Sequence, residues 1–210
     1  MNRRPDAACE GQDVKAKRPK GATVYWSRDR EMQFARIRAE AEGFGLRILE
    51  ANEYRKPWGG FVKFDPACLA AFRRAYWKKG LNEQWQESLR SLWKAMRSAR
   101  GLALDAKLLL VAPGQRFSLQ EHERRAELWR VLEGPVDVVM GEDEEHLRDH
   151  EVRPGEIIRI PERTLHRAAA PVSSWGVIAE FWQHIDPAHP SDEDDVIRHA
   201  DDYERRGPSS

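Results

Sequence analysis

Apolar positions divide the chain into two textures. Up to about residue 100 they recur at helical spacing, and from about residue 104 they fall in short runs broken by Pro and Gly. Ser27 has N-cap chemistry for a helix over 28–42, where Met32, Phe34, Ala35 and Ile37 are apolar and Gly43 and Gly45 close the pattern. Two short extended segments follow at 47–50 and 60–64, separated by the turn Lys56-Pro57-Trp58-Gly59-Gly60. Asp65-Pro66 reads as a second helix start, with Leu69, Phe72 and Tyr76 on one face and Gly80 as the stop. A third helix over 83–100 sets Trp85, Leu89, Leu92, Trp93 and Met96 in one stripe, which reads as a core face rather than a binding surface.

Beyond residue 104 the strand candidates are 107–112, 127–132, 136–140, 157–160 and 176–182. Pro113-Gly114, Gly134-Pro135, Gly141, Pro154-Gly155 and Pro161 punctuate them, and regular short strands with such turns suggest a small antiparallel barrel or jelly roll. Residues 1–21 are polar and basic with almost no large apolar side chain, so they read as a disordered tail that cannot repay its ordering entropy. The division expected is that tail, a helical region with short strands over 22–103, a barrel with its closing segment over 104–205, and a disordered C-terminus at 206–210.

Charge then narrows the function classes. Lys and Arg number 35 against 35 Asp and Glu, a balance that argues against phosphate neutralisation on a nucleic acid as the main task. The longest apolar runs, such as 108–112, are far short of a spanning helix, and the polar N-terminus lacks the pattern of a secretory signal. A cytoplasmic location with no membrane partner is expected. Cys9 and Cys68 read as free thiols, too few and too scattered for a disulfide framework or a thiolate metal cluster.

The candidate chemistry lies in two linked motifs. Gly114, Gln120, His122, Glu127 and Gly134 follow the spacing Gly-x5-Gln-x-His-x4-Glu-x6-Gly, and Gly155, Pro161 and His166 follow Gly-x5-Pro-x4-His. Alternate residues of a strand face the same side, so Gln120 and His122 can both point into a barrel and Glu127 can return to the same depth on the next strand. Two imidazoles, a carboxylate and an amide oxygen make a plausible ligand set for a divalent metal ion, Zn first, with Mn or Fe as alternatives.

These motifs resemble the two motifs of the cupin superfamily. Within it, residues 107–134, KLLLVAPGQRFSLQEHERRAELWRVLEG, are similar to the isomerase domain of type II mannose-6-phosphate isomerases, with Arg125, Glu127 and Trp129 in the Arg-x-Glu-x-Trp positions. Pro57-Trp58-Gly59, Ile160-Pro161, His166-Arg167, the run 193–198, Asp201 and Tyr203 extend the resemblance. It departs in the two helices between Asp65 and Arg100, in extra residues within 183–192, and in Glu204 where the family usually has Gly. The resemblance implies a mainly β fold, a cupin-type double-stranded β-helix (jelly-roll) barrel with an N-terminal helical extension or insertion. It also implies a metal-dependent aldose–ketose isomerase acting on a sugar phosphate. The sugar-nucleotide transferase domain of bifunctional relatives is not expected.

Glu180 is the candidate base, Lys107 a polarising or proton-transferring partner, and Arg198 the candidate for substrate or phosphate contact; ion pairs to arginine for Glu180 and to Asp194 or Asp201 for Arg198 are the structural alternatives. Arg125 and Arg116 are further phosphate candidates, and Trp58 a wall or stacking residue. His146, His150, His184, His189 and His199 read as solvent histidines. The expected partner is a small-molecule sugar or sugar phosphate, and the expected assembly a homodimer. A free-sugar isomerase of the lyxose or mannose type, a non-catalytic carbohydrate-binding cupin and an oxygenase are the alternatives, and fold alone does not choose among them.

Overall fold

The fold is that of a computed structural model, in which residues 26–78, 83, 85–87, 89, 90 and 104–203 are described. The expected tail over 1–21, Gly80, most of the expected 83–100 helix and the C-terminus at 206–210 lie outside the described residues.

The described strands form two antiparallel sheets. One runs in the order β1 (Ile48–Lys56), β2 (Gly59–Phe64), β3 (Leu104–Val111), β10 (Gly176–His184), β5 (Arg125–Glu133), β8 (Ile157–Ile160). The other runs β11 (Ile197–Ala200), β4 (Leu119–Glu121), β9 (Leu165–Ala169), β6 (Val136–Gly141), β7 (Arg148–Val152). The architecture is mainly β with a helical N-terminal part, as the resemblance implies. One expectation changes: β2 pairs with β3, so the two strands before residue 104 belong to the barrel sheet itself.

Two cores share the larger sheet. On its inner face Leu109, Val111, Trp129, Val131, Ile160 and Ile178 meet Val136, Val138, Val152 and Ala168 of the smaller sheet. On its outer face Ala106, Leu108, Leu110, Val177, Ala179 and Phe181 meet Phe34, Ile37, Phe72 and Trp77 from the helical region. Residues of β3 and β10 alternate between these cores, so both strands read as continuous apolar runs rather than half-polar ones. Trp85 and Leu89, the described members of the third stripe, also pack in the outer core.

Helix α1 (Arg28–Gly43) begins where expected, with the Ser27 hydroxyl accepting from the Arg30 N–H at 3.1 Å. Arg30 is buried and staples the helix to the β1–β2 hairpin. Its Nη1 donates to the carbonyls of Glu53, Lys56 and Gly59 at 3.1, 2.8 and 3.1 Å, and its Nη2 to that of Pro57 at 3.0 Å. Gly59 takes φ +142°, and a Cβ there would come within 1.8 Å of the Leu110 carbonyl oxygen, so only glycine fits this turn. Asp65 caps a short 3-10 turn, accepting from Ala67 N–H at 2.7 Å, and the chain continues into α2 (Leu69–Tyr76). Cys68 is disulfide-bonded, which corrects its reading as a free thiol.

Candidate metal centre

Strand register assembles the centre. Gln120 on β4 lies opposite His166 on β9, and Glu127 on β5 lies opposite Trp182 on β10. His122 follows β4 by one residue. Its Nε2 lies 3.2 Å from Glu127 Oε1, and His166 Nε2 lies 3.4 Å from Glu127 Oε2. One ligand atom from each of His122, Glu127 and His166 falls within 4.8 Å of the others, and all three side chains are buried.

Each imidazole is oriented by a carbonyl. His122 Nδ1 donates to the Asp195 carbonyl, and His166 Nδ1 donates to that of Thr164 at 2.8 Å. A carbonyl can only accept, so both rings carry the proton on Nδ1 and aim an Nε2 lone pair at Glu127. Burial, reinforced by the charge of Arg125 and by His166, pushes His122 down to about 3 against the pull of Glu127, and keeps it neutral. Burial raises Glu127, but His122, Arg125 and His166 together outweigh it and hold the carboxyl well below its usual range.

A divalent metal suits this donor set. His166 Nε2 and Glu127 Oε2 are buried acceptors with no donor between them, an arrangement that is costly unless a cation completes it. Gln120 turns its Nε2 toward His122 at 3.4 Å while its Oε1 accepts from the Ser118 hydroxyl at 2.8 Å. Flipping the amide gives the oxygen to the cluster, and the Ser118 hydroxyl can accept from the NH2 instead.

The other candidates separate clearly. The cavity beside the cluster, with an empty volume of about 560 Å³ open to solvent, is lined by Lys107, Glu180, Arg198 and Trp58 among others. Lys107 and Glu180 are direct cross-strand partners on β3 and β10, and Trp129 is the partner of Glu180 on its other side. Trp129 Nε1 donates to Glu180 Oε1 at 2.9 Å, while Glu180 Oε2 has no hydrogen-bond partner. Burial first, and Glu127 second, push Glu180 up to about 8 despite Lys107, Arg125 and the Trp129 bond. Lys107 pairs with Glu193, and its Nζ stands 3.4 Å from the centroid of Trp182; burial lowers its affinity for the proton, opposed by Glu193 and Glu180.

The two arginine candidates differ in placement. Arg116 is half exposed, bonds Asp202 at 2.6 Å and does not line this cavity. Arg125 lines it but points inward: its Nε donates to Glu127 Oε1 at 2.7 Å and its Nη2 to His122 Nε2 at 2.9 Å. Arg125, Glu127 and Trp129 alternate along β5 and share one face, a period-two signal the sequence already contained. His184 is not a solvent histidine either. It ends β10 four residues past Glu180, is buried, and its Nδ1 accepts from Ser191 N–H at 3.0 Å.

The family model for the mannose-6-phosphate isomerase C-terminal domain matches residues 80–201, more than half of the chain. The chain belongs to this family. The matched span contains all four candidate ligands together with Lys107, Glu180 and Arg198. No curated protein matches by sequence. Among solved structures the chain is similar to CapF, the capsular polysaccharide assembling protein of Staphylococcus aureus. One crystal form gives a TM-score of 0.44 at 15% identity, over 72% of this chain and 34% of CapF. A second CapF structure gives 0.45 at 13%, over 73% and 32%. Oxalate oxidase in complex with glycolate gives 0.38 at 19%, over 45% of each chain. The chain therefore spans about a third of the length of CapF, and none of these likenesses bears on what it does. No helix among the described residues is long and apolar enough to cross a membrane.

Proposed function

We propose that the chain is a metal-dependent aldose–ketose isomerase. The observation that carries this is the orphaned pair of acceptors, Glu127 Oε2 and His166 Nε2, beside a cavity lined by Glu127 and by a protonatable carboxyl, Glu180, whose Oε2 has no hydrogen-bond partner among the described residues. Gln120, His122, Glu127 and His166 would hold the metal, with zinc the first choice for nitrogen and oxygen donors. A metal bound there supplies positive charge to the carbonyl and neighbouring hydroxyl oxygens of a sugar, where negative charge grows as a proton leaves carbon.

Glu180 Oε2 takes the proton from C2 of the aldose and returns it to C1. Trp129 fixes the other carboxyl oxygen, so a single oxygen faces the substrate. With its proton affinity raised to about 8, Glu180 lies in the range where one group can both accept and give back a proton near neutrality. Lys107, beside it on the next strand, is the group to carry the hydroxyl proton from O2 to O1. Arg198 and Trp58 line the cavity around the remainder of the sugar.

A free sugar is the second substrate reading, because Lys107 and Arg125 already hold the carboxylates of Glu193 and Glu127. The test is turnover by zinc-loaded protein with mannose 6-phosphate, fructose 6-phosphate, free mannose and free lyxose. Isomerisation of one of them is expected. His122→Ala and Glu127→Ala should lose metal and activity together, while Glu180→Gln keeps its metal and loses about 10²- to 10⁴-fold in kcat. Full metal content in both ligand variants would refute the site. The assembly put forward is a cytoplasmic homodimer.

A further inference from the structure

We infer that Arg125 is the metal cradle's own cation, and that a divalent metal reaches His122 only by displacing it. The inference rests on the metal reading above. Two cradle acceptors are left bare, Glu127 Oε2 and His166 Nε2, but the other two are taken. Arg125 Nη2 donates to His122 Nε2 at 2.9 Å, along the lone pair that a metal would need, and Nε donates to Glu127 Oε1 at 2.7 Å. An N–H and a metal ion cannot share one imidazole lone pair.

Arg125 also has somewhere to go. Its Nη1 donates to the Ser191 hydroxyl at 2.8 Å and to the carbonyls of Asp192 and Asp195 at 3.1 and 3.2 Å. The Asp195 carboxylate waits 3.7 Å from the same nitrogen. The guanidinium carbon lies 3.6 Å from the centroid of the Trp182 ring, a face along which a planar cation can slide. The side chain therefore has two sets of partners, one in the cradle and one in segment 191–195, and a modest swing exchanges the first for the second. The same Asp195 supplies the carbonyl that orients His122, so the resting place of the displaced arginine and the orientation of the ligand are fixed by one residue.

The two roles of Arg125 have opposite signs. Without metal it neutralises a fully buried carboxylate, which would otherwise stand unpaired at a high cost. With metal present it is a competitor. Removing it should therefore weaken the apo fold and tighten metal binding. A merely structural arginine would weaken both or leave metal affinity alone.

The experiment compares the full chain with Arg125→Met, which keeps the stem on Trp182 but has no donors, and Arg125→Lys, which keeps a charge but cannot bridge both ligands. Apo stability is read from the denaturant midpoint, and zinc affinity from competition with a chromophoric chelator. The expected result is a lower apo midpoint with a zinc Kd tightened by about tenfold or more in Arg125→Met, and a smaller shift of the same sign in Arg125→Lys. Should Arg125→Met not fold without metal, Arg125→Lys carries both readouts. An unchanged or weaker Kd in the variants overturns the inference while leaving the metal reading intact. If neither the wild type nor any variant binds zinc, both fall. Binding by the variants alone supports displacement in its strongest form.

Discussion

Glu180 faces a lysine on the next strand, yet its carboxyl holds its proton up to about 8. Burial dominates, Glu127 adds to it, and the cations and the Trp129 bond recover only part. If Glu180 is the base, turnover should rise with pH until about 8 and then level off. Trp129→Phe removes the bond that pulls the value down, so the inflection should move to higher pH; a pH–rate profile with an unmoved inflection would count against Trp129 as a positioning residue. Linkage gives a second readout. A carboxyl raised from its ordinary 4.5 to about 8 stabilises the fold fully below the lower value, and loses that contribution as pH rises through the higher one. Glu180→Gln, which never ionises, should therefore gain in melting temperature over the wild type at about pH 9 and gain little at about pH 5. Melting curves at the two values decide it.

Elements show what the sequence made legible. The strands β3, β5, β6, β8 and β10 are readable because apolar runs and Pro-Gly punctuation mark them, and the helix starts at Ser27 and Asp65 because capping is a local interaction. The missed strands lack that signal. β7 reads Arg-Asp-His-Glu-Val with four exposed positions at a sheet edge, β11 is exposed or half-exposed throughout, β4 has three residues, and β9 reads Leu-His-Arg-Ala-Ala, largely buried but without a β-branched or aromatic residue, so pairing alone defines them. Nor does sequence reveal the Arg30 staple, since a lone arginine in a polar helix face carries no sign of the four carbonyls it will meet. Arg30→Met leaves those carbonyls short of a charged donor. It should cost at least about 3 kcal/mol, given roughly 1–3 kcal/mol for each buried group left unsatisfied. A denaturant midpoint close to that of the wild type would show that water replaces the guanidinium.

At the scale of the molecule, residues between Lys107 and Arg198 supply all the candidate metal ligands and proton-transfer groups, while the helical region packs on the far face of the sheet that carries much of them. Strand alternation and turn-marked spacing constrain where Gln120, His122, Glu127 and His166 can point, and three of them, His122, Glu127 and His166, converge. His184 reads as a solvent histidine in a polar loop because the apolar run that marks β10 stops at Trp182, two residues before the strand does. Net charge is balanced over the chain, and inside the cavity two of the cations are paired, Lys107 with Glu193 and Arg125 with Glu127. Proton transfer between neighbouring carbons of a sugar is what separates an isomerase from a carbohydrate-binding cupin at this site. It can be followed by incubating zinc-loaded protein in D₂O with mannose 6-phosphate, free mannose and free lyxose separately, and recording the C2 proton by NMR. Loss of the C2 proton signal from one of these sugars is expected, abolished by Glu180→Gln at unchanged metal content; retention of that proton in all three with fully metal-loaded wild type would rule the isomerase out.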